Sequence, residues 1–271
     1  MAPTVLITGA TGNLGQKLWS HFDSLGWTLR GLDVASGGAS AIHVADLSVW
    51  DDAWVEQFRG ADAVIHLAGR PSPRTSWADA VRYNFDLCQN VYEAAVRGGA
   101  KRLIFASSNW TMVGHRFDSE PLTTDREPYP VNPYGVSKLV GERLGKSYHD
   151  RWGLSVICFR IGYCQRGANV HGSHMGWNAW GQLMWLSDRD FCNAMERGVL
   201  AEGIGFEVLN LMSDNPGMRW DIETTKRKIG YAPKDGAAPV LTEQMQADEE
   251  DGRRLQESWM ALHEMASARR W

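Results

Sequence analysis

Tyr134 and Lys138 stand four residues apart in Tyr134-Gly135-Val136-Ser137-Lys138, so on a helix both side chains share one face. A phenol titrates near about 10 and is a poor base at neutral pH; a neighbouring ammonium, together with a positively charged nicotinamide, lowers that value and makes the tyrosinate available to take a proton. The apolar run Arg102-Leu103-Ile104-Phe105-Ala106 ends in Ser107-Ser108. The Ser108 hydroxyl can hold the oxygen of a reacting group while Tyr134 moves its proton. Alone, a Tyr-Lys pair is an ordinary exposed helix face. It gains its weight from a second motif at the start of the chain.

Thr8-Gly9-Ala10-Thr11-Gly12-Asn13-Leu14-Gly15 follows the apolar run Val5-Leu6-Ile7. This reads as a buried strand, a glycine-rich turn and a helix beginning near Asn13–Leu14. The three glycines permit a tight turn, close approach of a pyrophosphate to backbone N–H groups, and seating of the helix on the strand. Leu29-Arg30-Gly31-Leu32-Asp33 reads as the second strand, ending in an acid 18 residues beyond Gly15. A carboxylate there accepts both ribose hydroxyls of an adenosine. It also repels the 2′-phosphate of NADP, and Val34-Ala35-Ser36 offers no arginine to bind one, so NAD is the expected cofactor. Turn, acid, Tyr-Lys pair and serine together describe a hydride-transfer site.

The elements that must position these residues alternate. Strands are expected near 4–8, 28–33, 41–44, 63–67, 102–106, 154–159 and 206–211, and helices near 13–25, 50–57, 76–97, 134–151, 188–197 and 221–229. Such alternation predicts an α/β fold, a Rossmann-type doubly wound parallel sheet covered on both faces, with ligands outside the carboxyl ends of the strands. The expected division is a dinucleotide-binding part over 1–160, a small substrate cap interleaved with the last strands over 161–240, and a helical tail over 241–271. The stretch Gly167–Gly181, rich in Gly, His, Asn and Trp, is the expected cap loop. In the tail, Leu255, Trp259, Leu262 and Met265–Ala266 recur at helical spacing, which leaves open packing on the body, packing on a second subunit of a homo-oligomer, or a solvated tail.

At 271 residues and 44% hydrophobic the chain can bury one substantial core, and its formal charge of −4 gives no footprint for nucleic acid or an anionic membrane. No apolar run approaches the roughly 20 residues that span a bilayer, and the first strand begins too early for a signal peptide, so a cytoplasmic enzyme is expected. Cys88, Cys158, Cys164 and Cys192 lack metal or redox spacing and read as idle thiols. His171-Gly172-Ser173-His174 has no helix to orient it and no acid or Cys nearby, so no metal is expected. Of the 13 tryptophans, Trp110, Trp177, Trp180 and Trp185 fall at strand ends or in the cap, where aromatic faces suit the apolar faces of sugar rings.

In these motifs the chain resembles the extended short-chain dehydrogenase/reductases, whose signatures are Thr-Gly-x-x-Gly-x-x-Gly, a serine near the end of the fifth strand and Tyr-x-x-x-Lys. The resemblance runs from Thr4 to about Tyr231. It implies that Asp46-Leu47 lie beside the adenine and that Leu67-Ala68-Gly69 and Ile161 lie along the cofactor. It also implies that Asn84 is the family's helix asparagine. Within the family the chain is most similar to uronate dehydrogenases. Phe105-Ala106-Ser107-Ser108-Asn109, Arg160-Ile161-Gly162 with Cys164, Leu186–Phe191 and Trp220-Asp221 carry that likeness. It implies substrate contacts from Ser72, Ser108 and Asn109. Two positions depart: Trp110 stands where those enzymes carry His, and Trp180 where they carry a carboxylate-binding Arg. Arg166, Arg70 or Arg74 is then the candidate for that charge.

Three functions fit a site of this kind. An NAD-dependent dehydrogenase would oxidise the C1 hydroxyl of a cyclic hexuronate or related sugar to the lactone. An epimerase or dehydratase would retain its cofactor, and a sensor would bind the dinucleotide without catalysis. Ser108-Asn109-Trp110 lacks the Asp-Glu pair of family dehydratases, and only 111 residues follow Arg160, little room for a nucleotide-sugar lobe. The Tyr-Lys pair argues against a sensor. A dehydrogenase acting on a small sugar or sugar acid is the expected function.

Overall fold

The apolar runs form a single sheet in a computed structural model that describes residues 2–38 and 40–268, with side chains as far as residue 261. In chain order the strands are β1 (Thr4–Thr8), β2 (Thr28–Asp33), β3 (Ile42–Val44), β4 (Ala63–His66), β5 (Arg102–Ser108), β6 (Ser155–Ile161) and β7 (Phe206–Leu211). They are ordered β3-β2-β1-β4-β5-β6-β7, and every ladder among the described residues is parallel. The order reverses between β1 and β4, the place where a doubly wound sheet opens a crevice at its carboxyl edge.

Alternation along each strand feeds two cores. On β5, Leu103 and Phe105 join the core on one face, with Trp54, Phe58, Val91 and Tyr92, while Ile104 and Ala106 join the other, with Leu18, Phe22, Phe191 and Met195. Each large side chain so buried contributes about 1.5–3 kcal/mol, which is why parallel strands read as unbroken apolar runs. The first helices are α1 (Asn13–Ser24), α2 (Asp52–Val55), α3 (Trp77–Ala80), α4 (Leu87–Arg97) and α5 (Pro133–Trp152). The last are α6 (Asn178–Leu183), α7 (Asp188–Leu200), α8 (Glu223–Ile229) and α9 (Glu243–Ala268). No helix among the described residues is long and apolar enough to cross a membrane.

α5, which carries Tyr134 and Lys138, is set by local signals. Asn132 caps it by accepting the Gly135 N–H at 2.8 Å, Pro133 occupies the first turn, and Gly153 closes it in the left-handed conformation at φ 69°. Gly141 lies against the Phe105 ring, so the missing side chain lets α5 approach β5 closely. That contact sets how far Tyr134 stands from the strand ends.

Three segments differ from the sequence expectation. The helix expected over 76–97 is broken between α3 and α4 by a π-helical turn, Val81–Asp86, in which Asn84 turns inward to bond outside its own helix. Asn109–His115 forms 3₁₀ turns, and the cap contains α6. A third cluster of Met112, Leu122, Trp180, Met184, Met212, Trp220 and Ile222 lies under the cap. The tail is helical as expected, and with Leu255 and Trp259 72% and 68% exposed that stripe does not pack on the body, one of the three arrangements left open. The face that docks is instead Met245, Glu249, Gly252 and Gln256, with Gly252 against the Phe117 ring and Gln256 bonded to Asp118. The side chains of Leu262, Met265 and Ala266 lie outside the described residues.

Candidate active site

At the carboxyl edge of the sheet lies a cavity of about 670 Å³. It begins at the glycine turn, where Gly9 adopts φ +74° and its N–H donates to Leu32 O at 2.8 Å. A side chain on Gly9 would come within 2.8 Å of the Ala68 nitrogen, so only glycine fits between β1 and the loop after β4. Gly12 begins α1 without a side-chain cap, which leaves the first N–H groups of the helix for an anion. Asp33, at the end of β2, accepts Thr11 N–H at 2.9 Å and Val34 N–H at 2.7 Å. The acid thus braces the turn as well as facing the cavity. The Ser48 hydroxyl, with help from Arg82, holds the Asp46 carboxyl below the usual range.

Gly9, Thr11, Gly12, Asn13, Leu14, Gly15, Asp33, Asp46, Leu47, Leu67, Ala68, Gly69, Ser108, Asn109, Trp110, Tyr134, Lys138, Ile161 and Arg166 all line this one cavity. Three expected residues do not. Asn84 lies beneath the wall: its Oδ1 accepts Arg70 N–H at 2.8 Å and its Nδ2 donates to Ser137 Oγ at 2.9 Å, so it braces the Gly69–Arg70 loop. Ser72 turns its Oγ to Arg74 N–H at 3.2 Å, and its neighbours Pro71 and Pro73 form the wall instead. Trp180 turns away from the cavity, its ring 4.5 Å from that of Trp220 in the third cluster. Arg74 is also outside the lining, whereas Arg70 is in it, its guanidinium 4.8 Å from the Tyr83 ring centroid.

Tyr134 and Lys138 are both buried, with the Lys138 ammonium 5.7 Å from the Tyr134 ring centroid. Burial disfavours the phenolate and pushes Tyr134 above its usual value, with the Ser108 hydroxyl opposing the shift in part. The same burial brings Lys138 down to about 8. Ser108 Oγ accepts the Trp110 N–H at 3.2 Å, which turns the chain into the 3₁₀ segment. Asn109 donates its Nδ2 to Ile161 O at 2.9 Å and leaves Oδ1 buried without a partner at the cavity wall. Behind this layer, Glu142 accepts Ser107 Oγ at 2.6 Å and both Nε and Nη2 of Arg160 at 2.9 Å. This buried pair ties α5, β5 and β6 together directly behind the site.

Of the cap tryptophans, Trp110 and Trp177 line the cavity with rings 5.0 Å apart and edge to face, while Trp185 turns its Nε1 to Asn169 Oδ1 at 3.1 Å. Tyr83, Tyr163 and Met184 also line the wall and were not anticipated. Tyr163 was within reach of sequence reasoning, because it lies two residues past the end of β6 at the edge where ligands bind. Nothing local marks Met184.

A turn that a Cβ would fill, uncapped helix N–H groups, an acid at the end of β2 and a buried lysine fit a dinucleotide. The fold and this groove define an NAD-dependent dehydrogenase of the short-chain dehydrogenase/reductase type. The chain belongs to the NAD dependent epimerase/dehydratase family, whose model matches residues 5–165. It is 33% identical to an NAD-dependent glucose-6-phosphate dehydrogenase of Haloferax volcanii over 92% of this chain and 100% of that one. It is 34% identical to an L-arabinose 1-dehydrogenase (NAD(P)(+)) of the same organism over 88% of this chain and 98% of that one. Among solved structures it matches the glucuronic acid dehydrogenase of Chromohalobacter salexigens with a TM-score of 0.75 and 29% identity, covering 93% of this chain and 90% of that one.

Proposed function

We propose that this dehydrogenase oxidises the C1 hydroxyl of a cyclic free sugar, a hexuronate or a close relative of one, to the lactone. The observation that carries this reading is the convergence of Tyr134, Lys138, Ser108 and Asn109 on the cavity that starts at the glycine turn. NAD, when bound, supplies the hydride acceptor. The Gly9–Gly15 turn would hold its pyrophosphate, Asp33 its adenosine ribose, Asp46 and Leu47 its adenine, and Lys138 its second ribose, with Leu67, Ala68, Gly69 and Ile161 as the flanking wall.

Ser108 holds the C1 oxygen, and Asn109 offers its unpartnered Oδ1 to a neighbouring sugar hydroxyl. As the tyrosinate, which the Lys138 ammonium together with the positive charge of a bound nicotinamide would favour against burial, Tyr134 accepts the C1 hydroxyl proton as the C1–H bond breaks and the C1–O bond becomes a carbonyl. The burial that raises Tyr134 also keeps water out, so the positive charge on Lys138 acts on the phenol through a weakly screening medium. Trp180 cannot hold a substrate carboxylate, and Arg166 and Arg70 are the cations that line the cavity with Lys138. They favour an anionic sugar over its neutral parent.

The test is NADH absorbance with a panel of hexuronates, aldose phosphates and neutral aldoses, each acid beside its parent. The expected result is reduced cofactor with a free sugar and higher kcat/KM for the acid. Arg166→Ala should then lose about 2–3 kcal/mol on the acid alone, roughly 30- to 150-fold. A ratio near one with Arg166→Ala silent would remove the carboxylate site. Isomerised sugar without net NADH would replace the dehydrogenase reading with an epimerase.

A further inference from the structure

Trp177, which forms the cavity corner with Trp110, sits at φ +71° and is followed by Asn178 at φ +51°. Side chains other than glycine rarely occupy that region, and they stay there only where the surroundings enforce it. Two donors hold the Trp177 carbonyl: Gly181 N–H at 3.2 Å and Arg116 Nη2 at 3.3 Å. The same Arg116 nitrogen donates to Glu249 Oε1 at 2.6 Å, reaching across to α9. Arg116 and Glu249 keep only 21% and 18% of their side chains exposed, so the pair is well shielded from solvent. The Arg116 guanidinium lies 4.9 Å from the Phe117 ring centroid, the ring against which α9 seats Gly252. Two further bonds anchor the segment, from Arg219 Nη2 to the Arg116 and His115 carbonyls at 2.8 Å. The 3₁₀ segment that carries Trp110 runs straight into this anchor.

We propose that Trp110 and Trp177 are the wall that recognises the sugar ring, and that α9 latches this wall in place through Glu249 and Arg116, which makes Arg116 a positioning residue for substrate affinity. The proposal rests on the reading of the site as a sugar dehydrogenase and adds what shapes the sugar end of it. Two edge-to-face indoles offer apolar surface to the C–H face of a ring sugar while its hydroxyls stay free for Ser108 and Asn109. The glycine turn and Asp33 lie on β1, α1 and β2, which the latch does not touch. Loosening the latch should therefore weaken sugar binding and spare the cofactor.

The experiment compares the full-length chain with Trp177→Ala, Glu249→Ala and the exchange Arg116→Glu with Glu249→Arg. The readouts are sugar KM, NAD dissociation constant, and amide hydrogen exchange over 109–118 and 176–184. Trp177→Ala and Glu249→Ala should each raise sugar KM roughly five- to twentyfold with the NAD dissociation constant unchanged. Glu249→Ala should also speed exchange in both segments. The double exchange restores an ion pair to α9 but takes the Arg116 donor from the Trp177 carbonyl and leaves only the Gly181 N–H, so sugar KM should stay raised. Unchanged exchange in Glu249→Ala overturns the latch, and faster exchange with unchanged sugar KM overturns the wall. A parallel loss of NAD affinity overturns the positioning role in favour of general damage. If the wild-type chain yields NADH with no sugar, the activity reading fails, and hydrogen exchange still decides the latch.

Discussion

Asp33→Asn is the substitution that isolates charge at the cofactor site. The carboxylate accepts two backbone N–H groups, one from Thr11 in the glycine turn and one from the exposed Val34. Asparagine keeps one acceptor, enough for the Thr11 N–H, while water replaces the contact at Val34. The lost bond costs about 1 kcal/mol and bears on both cofactors alike. Charge bears on only one of them. A 2′-phosphate with two negative charges at roughly 5 Å from the carboxylate is repelled by about 1.7 kcal/mol even through a dielectric of about 80, and by more through a less polar path. The wild-type chain should therefore favour NAD over NADP by at least roughly tenfold in kcat/KM, and Asp33→Asn should close most of that gap. The assay is kcat/KM for each cofactor at saturating sugar, at low and at high salt. Because Asp33 is solvent-accessible, the wild-type preference should shrink as salt rises, and the variant's ratio should not respond. Equal or better efficiency with NADP in the wild type, or an unchanged ratio in Asp33→Asn, refutes the reasoning.

Tyr134→Phe removes a single hydroxyl from a buried ring, so fold and NAD binding should persist while turnover falls roughly a hundredfold or more; calorimetric unfolding beside steady-state rates separates this from lost structure. Lys138→Ala should lose both turnover and cofactor affinity, measured by NAD titration, because one ammonium serves both roles. His66 is buried with Nδ1 2.8 Å from Thr8 Oγ1, and burial, with Lys138 nearby, holds its pKa at about 3. The unfolded chain takes up that proton near about pH 6.5, so this contribution to stability is intact above 6.5 and is lost as pH falls toward 3. At pH 5 the loss is about 2 kcal/mol relative to pH 8, and urea unfolding of His66→Asn should show that much less pH dependence; identical slopes in both proteins would rule it out.

All seven strands were legible to within two residues of one end or the other, because a parallel strand buried on both faces leaves a continuous apolar signature. α5 was legible from the Tyr134–Lys138 spacing over 134–151, and the structure starts it one residue earlier, at Pro133. What escaped depends on partners distant in the chain. The π-helical turn at Val81–Asp86 follows from Asn84 bonding to Arg70 and Ser137, 14 and 53 residues away. α6 starts from the left-handed Trp177, held by Arg116 61 residues earlier. Apolar spacing in the tail left its partner open, and the face that meets the body is the one with an ion pair and a glycine.

The burial of Trp180 bears on any redesign of substrate choice by transplanting residues from the uronate enzymes. An arginine introduced there would enter a pocket of Met112, Met184, Met212 and Trp220, with the Arg219 guanidinium already 5.6 Å from the indole centroid. A second guanidinium there would be stripped of water among apolar side chains and set beside a like charge, so the transplant would loosen the lobe before it met any sugar. Met184 belongs to the same cluster but also faces the cavity. A cation sited there has a path to the ligand that position 180 lacks, so selectivity in this scaffold is better sought by what a side chain can reach than by what it aligns with.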